Sequence, residues 1–132
     1  MLWTFPHHWD DEIFHLIDAL LVGLPHYKEL LSLYWQKSKW DGCFGMMCSI
    51  DWTMMDSLNR NYQLWDTLLP KITKRENRMA LERVLGLLMA HHYGHTPTSL
   101  GDIHSYMKWG LTFPEYLTND KLLPLMKVWS SR

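Results

Sequence analysis

Cysteine is scarce, and the two present, Cys43 and Cys48, are too few for a disulfide scaffold. Their odd spacing on a strand points the side chains to opposite faces, which argues against a mutual disulfide and for a reducing, cytoplasmic setting. Charge of one sign is also missing: 13 basic against 14 acidic residues leave a net charge of -1. No broad field attracts a polyanion, so nucleic-acid binding through phosphate contacts is not expected. Long apolar runs are absent too. The stretches around residues 20–24 and 85–90 fall far short of the roughly 18 to 20 residues that span a bilayer, and no basic, apolar, small-residue leader opens the sequence. No repeat, low-complexity tract or linker divides it.

What remains is 47% hydrophobic and 20% charged, which excludes intrinsic disorder. At 132 residues the expectation is a single domain, 1–132, with one core. Eight Trp, six Tyr and four Phe suit either that core or a surface that stacks on rings, sugars or a partner protein.

Periodicity orders the elements. LWTF before Pro6 reads as a strand. Asp10 is placed to cap a helix carrying Ile13, Phe14, Ile17, Leu20 and Leu21, with Gly23 as its stop. Pro25 suits the first position of a second helix with a Tyr27, Leu30, Leu31, Tyr34 stripe, and the two helices should pair. DGCFGMMCSI reads as a turn opening a buried strand, and Asp51 then caps a helix bearing Trp52, Met55 and Leu58. Leu64, Leu68 and Leu69 predict a further short helix before Pro70. Thr73 and Glu76 form a capping box for the best helix of the chain, a central one with Ala80, Leu81, Val84, Leu85 and Leu88 inward and Gly94 near its end. Beyond it, only LMKVW reads as a strand.

Eight histidines raise the question of a metal centre. The spacings answer against it: His91 and His95 are parted by Gly94, and His7, His8 and His15 have neither companion cysteines nor an HExxH pattern. Glu76 and Glu82 stand six apart on their helix, which is not a same-face spacing, so they do not form a paired acid and base. Glu82 beside Arg83 fits a solvated face.

Four segments in order, LWTF, WDGCFGMMCSID, TKRENRMALERVLGLL, and SLGDIH with PLMKVWSSR at the end, resemble the C-terminal, acceptor-side half of a GT-A type glycosyltransferase. The likeness is to glycosyltransferase-like proteins of large DNA viruses and some microbes. It implies an α/β fold, predominantly helical with a few strands, a partial GT-A fold lacking the N-terminal nucleotide-binding half. It also implies transfer of a sugar from a nucleotide-sugar to a glycan acceptor, with a divalent cation, manganese or magnesium, neutralising the leaving diphosphate while a carboxylate takes the acceptor's proton. By the same resemblance Trp40, Asp41, Gly42, Cys43, Phe44 and Gly45 line the sugar site, Trp40 stacking on an acceptor ring. Glu76 is the base, with Asn77 and Arg83 in support, and His104 completes the metal site.

This sequence departs from that pattern. Asn77 replaces the usual Asp, and an amide cannot take a proton, which leaves Glu76 alone. No DxD occurs, and no nucleotide-binding strand, loop and helix precedes LWTF. The expectation is therefore a chain inactive alone, needing a separate nucleotide-binding half or second subunit, whose first strand lacks its neighbours and exposes apolar edges. The rival from another class is a small helical protein-interaction module, an immunity protein or adaptor, with its Trp and Tyr side chains as anchors. Strands in the Cys43 to Ile50 run would favour the transferase half, and an all-helical chain the module.

Overall fold

The computed structural model describes residues 2–5, 7, 9–48, 50–94, 99–102, 107–118 and 125–129. The chain is predominantly helical and of mixed α/β class. Strand β1, Leu2–Phe5, ends just before Pro6. Residues 10–13 form turns, and helix α1 begins only at Phe14, running Phe14–Leu21 with no side-chain cap. Asp10 is thus not the cap its position predicts; other groups hold its carboxylate. Gly23, at φ 81°, ends the segment in the left-handed region. Lys71 Nζ donates to the carbonyls of Ala19 at 3.3 Å, Leu20 at 3.0 Å and Val22, satisfying acceptors that the end of α1 leaves open.

Helix α2, Tyr27–Tyr34, starts two residues after Pro25, because His26 takes a left-handed conformation at φ 63° and only then does the chain coil. The expected pairing of α1 with α2 is present, and the Tyr27 hydroxyl donates to Asp18 Oδ1 at 2.7 Å across it. A 3₁₀ turn at Lys37–Lys39 leads to β2, Gly42–Cys48. Asp51 caps α3, Trp52–Tyr62, accepting from the Met54 amide at 2.8 Å. A π-helical turn at Leu64–Leu68 and a 3₁₀ turn at Leu69–Lys71 stand where one short helix is expected.

Helix α4, Arg75–Tyr93, is the longest. Its start lies later than the Thr73–Glu76 box predicts: Asn77 Oδ1 accepts from the Lys74 amide at 3.0 Å and the Thr73 amide at 3.3 Å, so Asn77 does the capping and Glu76 stands exposed. Gly94, at φ 74°, ends it before His95. From Ala80 to Ala90 every residue but half-buried Glu82 is buried, as for a helix surrounded on all sides. It packs on β2, α1, α2 and α3. Ile17, Leu20, Leu30, Tyr34, Leu58, Tyr62, Leu68, Val84 and Leu88 build the core with it.

The first sheet has the order β2-β1-β3, with β3 at Ser99–Asp102. β1 runs antiparallel to β2 (Thr4 opposite Cys43, Phe5 opposite Gly42) and parallel to β3 (Leu2 opposite Ser99, Thr4 opposite Asp102). The expectation that β1 lacks neighbours is overturned: this chain itself pairs both of its edges. A second, parallel pair joins β4, Met107–Thr112, to β5, Leu125–Trp129, through the short helix α5, Phe113–Leu117. LMKVW is the expected last strand, whereas β3, β4 and α5 carry too weak a period to be read ahead. No helix among the described residues is long and apolar enough to cross a membrane.

Candidate functional site

The turn before β2 is where the sequence-predicted residues meet. Two close approaches fix it. A Cβ on Gly42 would overlap the Phe5 ring, and one on Gly86 of α4 would overlap the Asp41 carbonyl oxygen. Glycine at both positions lets the turn lie directly against β1 on one side and the α4 backbone on the other.

Side chains complete the clamp. Asp10, whose side chain is 1% exposed, accepts from Arg83 Nε at 2.9 Å through Oδ1 and faces His7 Nδ1 at 2.7 Å through Oδ2. Burial works to raise the Asp10 pKa, but the bonds from His7 and Arg83 outweigh it and hold the carboxyl below its ordinary value. His7 turns its other nitrogen, Nε2, to the Trp40 carbonyl oxygen, also at 2.7 Å. Arg83 lies over the Phe5 ring at 4.4 Å and also reaches Glu82 Oε2 at 3.4 Å. Lys37 Nζ lies 3.6 Å from Asp10 Oδ2, 3.4 Å from Asp11 Oδ1 and 3.5 Å from the centre of the Tyr34 ring, a cation held by carboxylates and an aromatic face without a hydrogen bond. The Tyr34 hydroxyl donates to Asp11 Oδ1 at 2.9 Å, and burial followed by that bond pushes its pKa above the ordinary tyrosine range.

Trp40 differs from expectation. Its indole is 1% exposed, donates Nε1–H to the Tyr34 carbonyl at 3.1 Å, and packs against the His7 and Tyr34 rings. An enclosed ring offers no face to a sugar, so Trp40 is a wall of the core here. Cys43 and Gly42 are buried as well, Asp41 and Phe44 are half-buried, and Gly45 lies within β2. Arg83 belongs to the ion network rather than to a solvated face, and Glu76 and Asn77 stand at the opening of α4, two turns before it. His104 lies outside the described residues, as do His8 and His95.

The residues that sequence reasoning missed are His7, Asp10 and Lys37. The HxxD spacing from His7 to Asp10 is a local signal that was available; their meeting with Arg83 and Trp40 is not written in any spacing.

A second cluster joins α3 to the end of α4. The Tyr62 hydroxyl lies 2.6 Å from His91 Nδ1, the Ser57 hydroxyl lies 3.0 Å from His92 Nε2, and the His26 ring stands 5.3 Å from that of His91. Burial, and then the neighbouring His26, lower the His91 pKa. His91 and His92 are each engaged by a hydroxyl, and no group of three His, Cys, Asp or Glu side chains suited to a metal ion occurs among the described residues. The manganese or magnesium ion that the resemblance implies is assigned to His104 and a separate nucleotide-binding half, which lie outside the described residues.

Chemically, the cluster at the turn is a neutralised clamp. With His7 charged, three cations (His7, Lys37, Arg83) face three anions (Asp10, Asp11, Glu82) around a glycine-lined turn. No protein-family model, curated protein or solved structure matches this chain.

Proposed function

We propose that the chain is the acceptor-side half of a GT-A type glycosyltransferase, with the donor nucleotide-sugar bound by a complementary nucleotide-binding half. The observation that carries the reading is the clamped turn at Trp40–Gly42, which opens a β-strand and lies between the Phe5 ring of β1 and the central helix, with a glycine at each close approach. Such a turn is rigid enough to hold an acceptor hydroxyl in one place. Because Trp40 is enclosed, the stacking ring in this reading is Trp35, which is 58% exposed and braced by Phe14 at 5.1 Å and Tyr34 at 4.9 Å. Glu76 is exposed and relieved of capping by Asn77, which suits it to take the proton of the acceptor hydroxyl. In the reaction the bond from the sugar's anomeric carbon to the diphosphate breaks, a bond to the acceptor oxygen forms, and the acceptor's proton passes to Glu76.

A glycan array tests the acceptor reading directly. The folded chain should bind a defined class of oligosaccharide, competed by the same sugar free in solution, and Trp35→Ala should bind at least tenfold more weakly. A folded chain that binds no glycan would overturn the proposal.

One observation favours the rival interaction module: Trp9, Trp52 and Trp65 are 63%, 74% and 44% exposed, and exposed indoles are effective interface anchors. The strands β1 to β3 count against the all-helical form of that reading.

A further inference from the structure

We propose that His7 is held as an imidazolium and works as a pH-operated latch on the Trp40–Gly42 turn. Nδ1 lies 2.7 Å from a carboxylate oxygen of Asp10 and Nε2 lies 2.7 Å from the carbonyl oxygen of Trp40. Both partners are acceptors. A neutral imidazole has one N–H, so at these distances one contact would set lone pair against lone pair; the imidazolium donates to both.

The surroundings favour the charged ring. Asp10 faces it from the same turn, while Lys37 from the 3₁₀ turn opposes its charge; Asp11, and Arg83 with Glu82 from α4, surround Lys37 and Asp10 in turn. The neighbour in direct contact is the Asp10 carboxylate, 1% exposed, and it is this buried negative charge that a charged His7 offsets. Burial lowers the proton affinity of His7, yet its bonds to Asp10 and Trp40 prevail and leave the pKa above its ordinary value.

Deprotonation has a defined mechanical result. The remaining proton stays with the charged partner, Asp10, and the bare Nε2 then opposes the Trp40 carbonyl. That carbonyl belongs to a residue whose indole is anchored in the core and whose successor lies against Gly86, so the strain falls on the turn between them. Rising pH therefore loosens the turn. The latch itself stands on this geometry alone; its control of acceptor binding rests on the acceptor-half reading.

Nuclear magnetic resonance of the whole chain between about pH 5 and about pH 9 is the test. At the acid end both His7 nitrogens should carry protons, the His7 midpoint should lie above the ordinary histidine value, and the Trp40 and Asp41 amides should move at that midpoint. In His7→Asn those amide transitions should vanish; should that variant not fold, the wild-type titration decides alone. A singly protonated His7 at about pH 6, or amides that ignore its midpoint, overturns the latch. Glycan binding should weaken about fivefold across the same midpoint, the worth of one hydrogen bond. Binding that stays level removes the gating while the resonances still decide the latch, and a chain that binds no glycan removes only the acceptor reading.

Discussion

Gly86 of α4 lies against the Asp41 carbonyl with no room for a Cβ between them. In an unhindered helix Gly→Ala would stabilise by about 1 kcal/mol. Here the obstacle is backbone, which cannot rotate away, and overpacking of that kind costs about 3 kcal/mol, so the clash wins. Gly86→Ala should therefore lower stability by about 2 kcal/mol in urea denaturation. A stabilised variant would mean that the turn does not touch α4 in solution.

Arg83 and Asp10 form a pair that is almost fully enclosed, with side chains 5% and 1% exposed. Removing one member strands the other, at about 3 kcal/mol, and His7 and Lys37 keep the loss from Arg83→Met at that lower end. The double change Asp10→Leu with Arg83→Met should cost less than the two single losses added together, because the pair is coupled, although His7 and Lys37 then lose the Asp10 carboxylate. Additive losses would show that the two do not interact.

The pH profile of stability follows from opposite shifts in the same pair of residues. The Asp10 pKa is lowered from 3.8, so its contribution is present above that value and is lost as pH falls through the lower folded pKa. The His7 pKa is raised from 6.5, so its contribution is complete below that value and is lost as pH rises through the higher folded pKa. These two groups make the urea midpoint peak between the two ordinary values and fall on both sides, while His91, whose pKa is lowered from 6.5, opposes His7 below that value. Asp10→Asn should flatten both limbs, whereas His7→Asn should remove the alkaline limb and soften the acid one. An alkaline limb that persists in His7→Asn would assign it to another group.

Asn77 and Glu76 separate capping from chemistry. Asn77→Ala removes the acceptor for two backbone amides and should cost about 1 kcal/mol. Glu76→Gln, exposed and outside the cap, should change stability by no more than about 0.5 kcal/mol. In an assembly with a nucleotide-binding half, the same Glu76→Gln should abolish transfer and leave acceptor binding in place. Full transfer would remove Glu76 from the mechanism.

What could be read in advance was what local rules govern. Asp51 was recognised as a cap because donor and acceptor are three residues apart. Gly94 and the inward face of α4 were visible in the period alone. Asp10 was misread for the opposite reason: its position before an apolar repeat is that of a cap, but its partner Arg83 lies 73 residues away. Asn77 took the role assigned to Glu76 because helix starts are poorly fixed by pattern, and a shift of one position changes which side chain faces the open amides. The resemblance makes Trp40 an open stacking platform; only the packed structure shows its N–H satisfied inside, by Tyr34. The strands β3 and β4 are short or carry glycine, and pairing of that kind depends on distant partners rather than on local preference.

The central place of β1 has a consequence for how the molecule comes into being. Leu2 meets Cys48 on one side and Ser99 on the other, so β1 is synthesised before either partner and is completed only once β3 follows. At about 5–20 residues per second, the ribosome leaves β1 half-paired for several seconds while α3 and α4 are still being made. Contacts so distant in sequence slow the final closure, and they make the nascent chain most vulnerable to strand exchange just before residue 99 emerges.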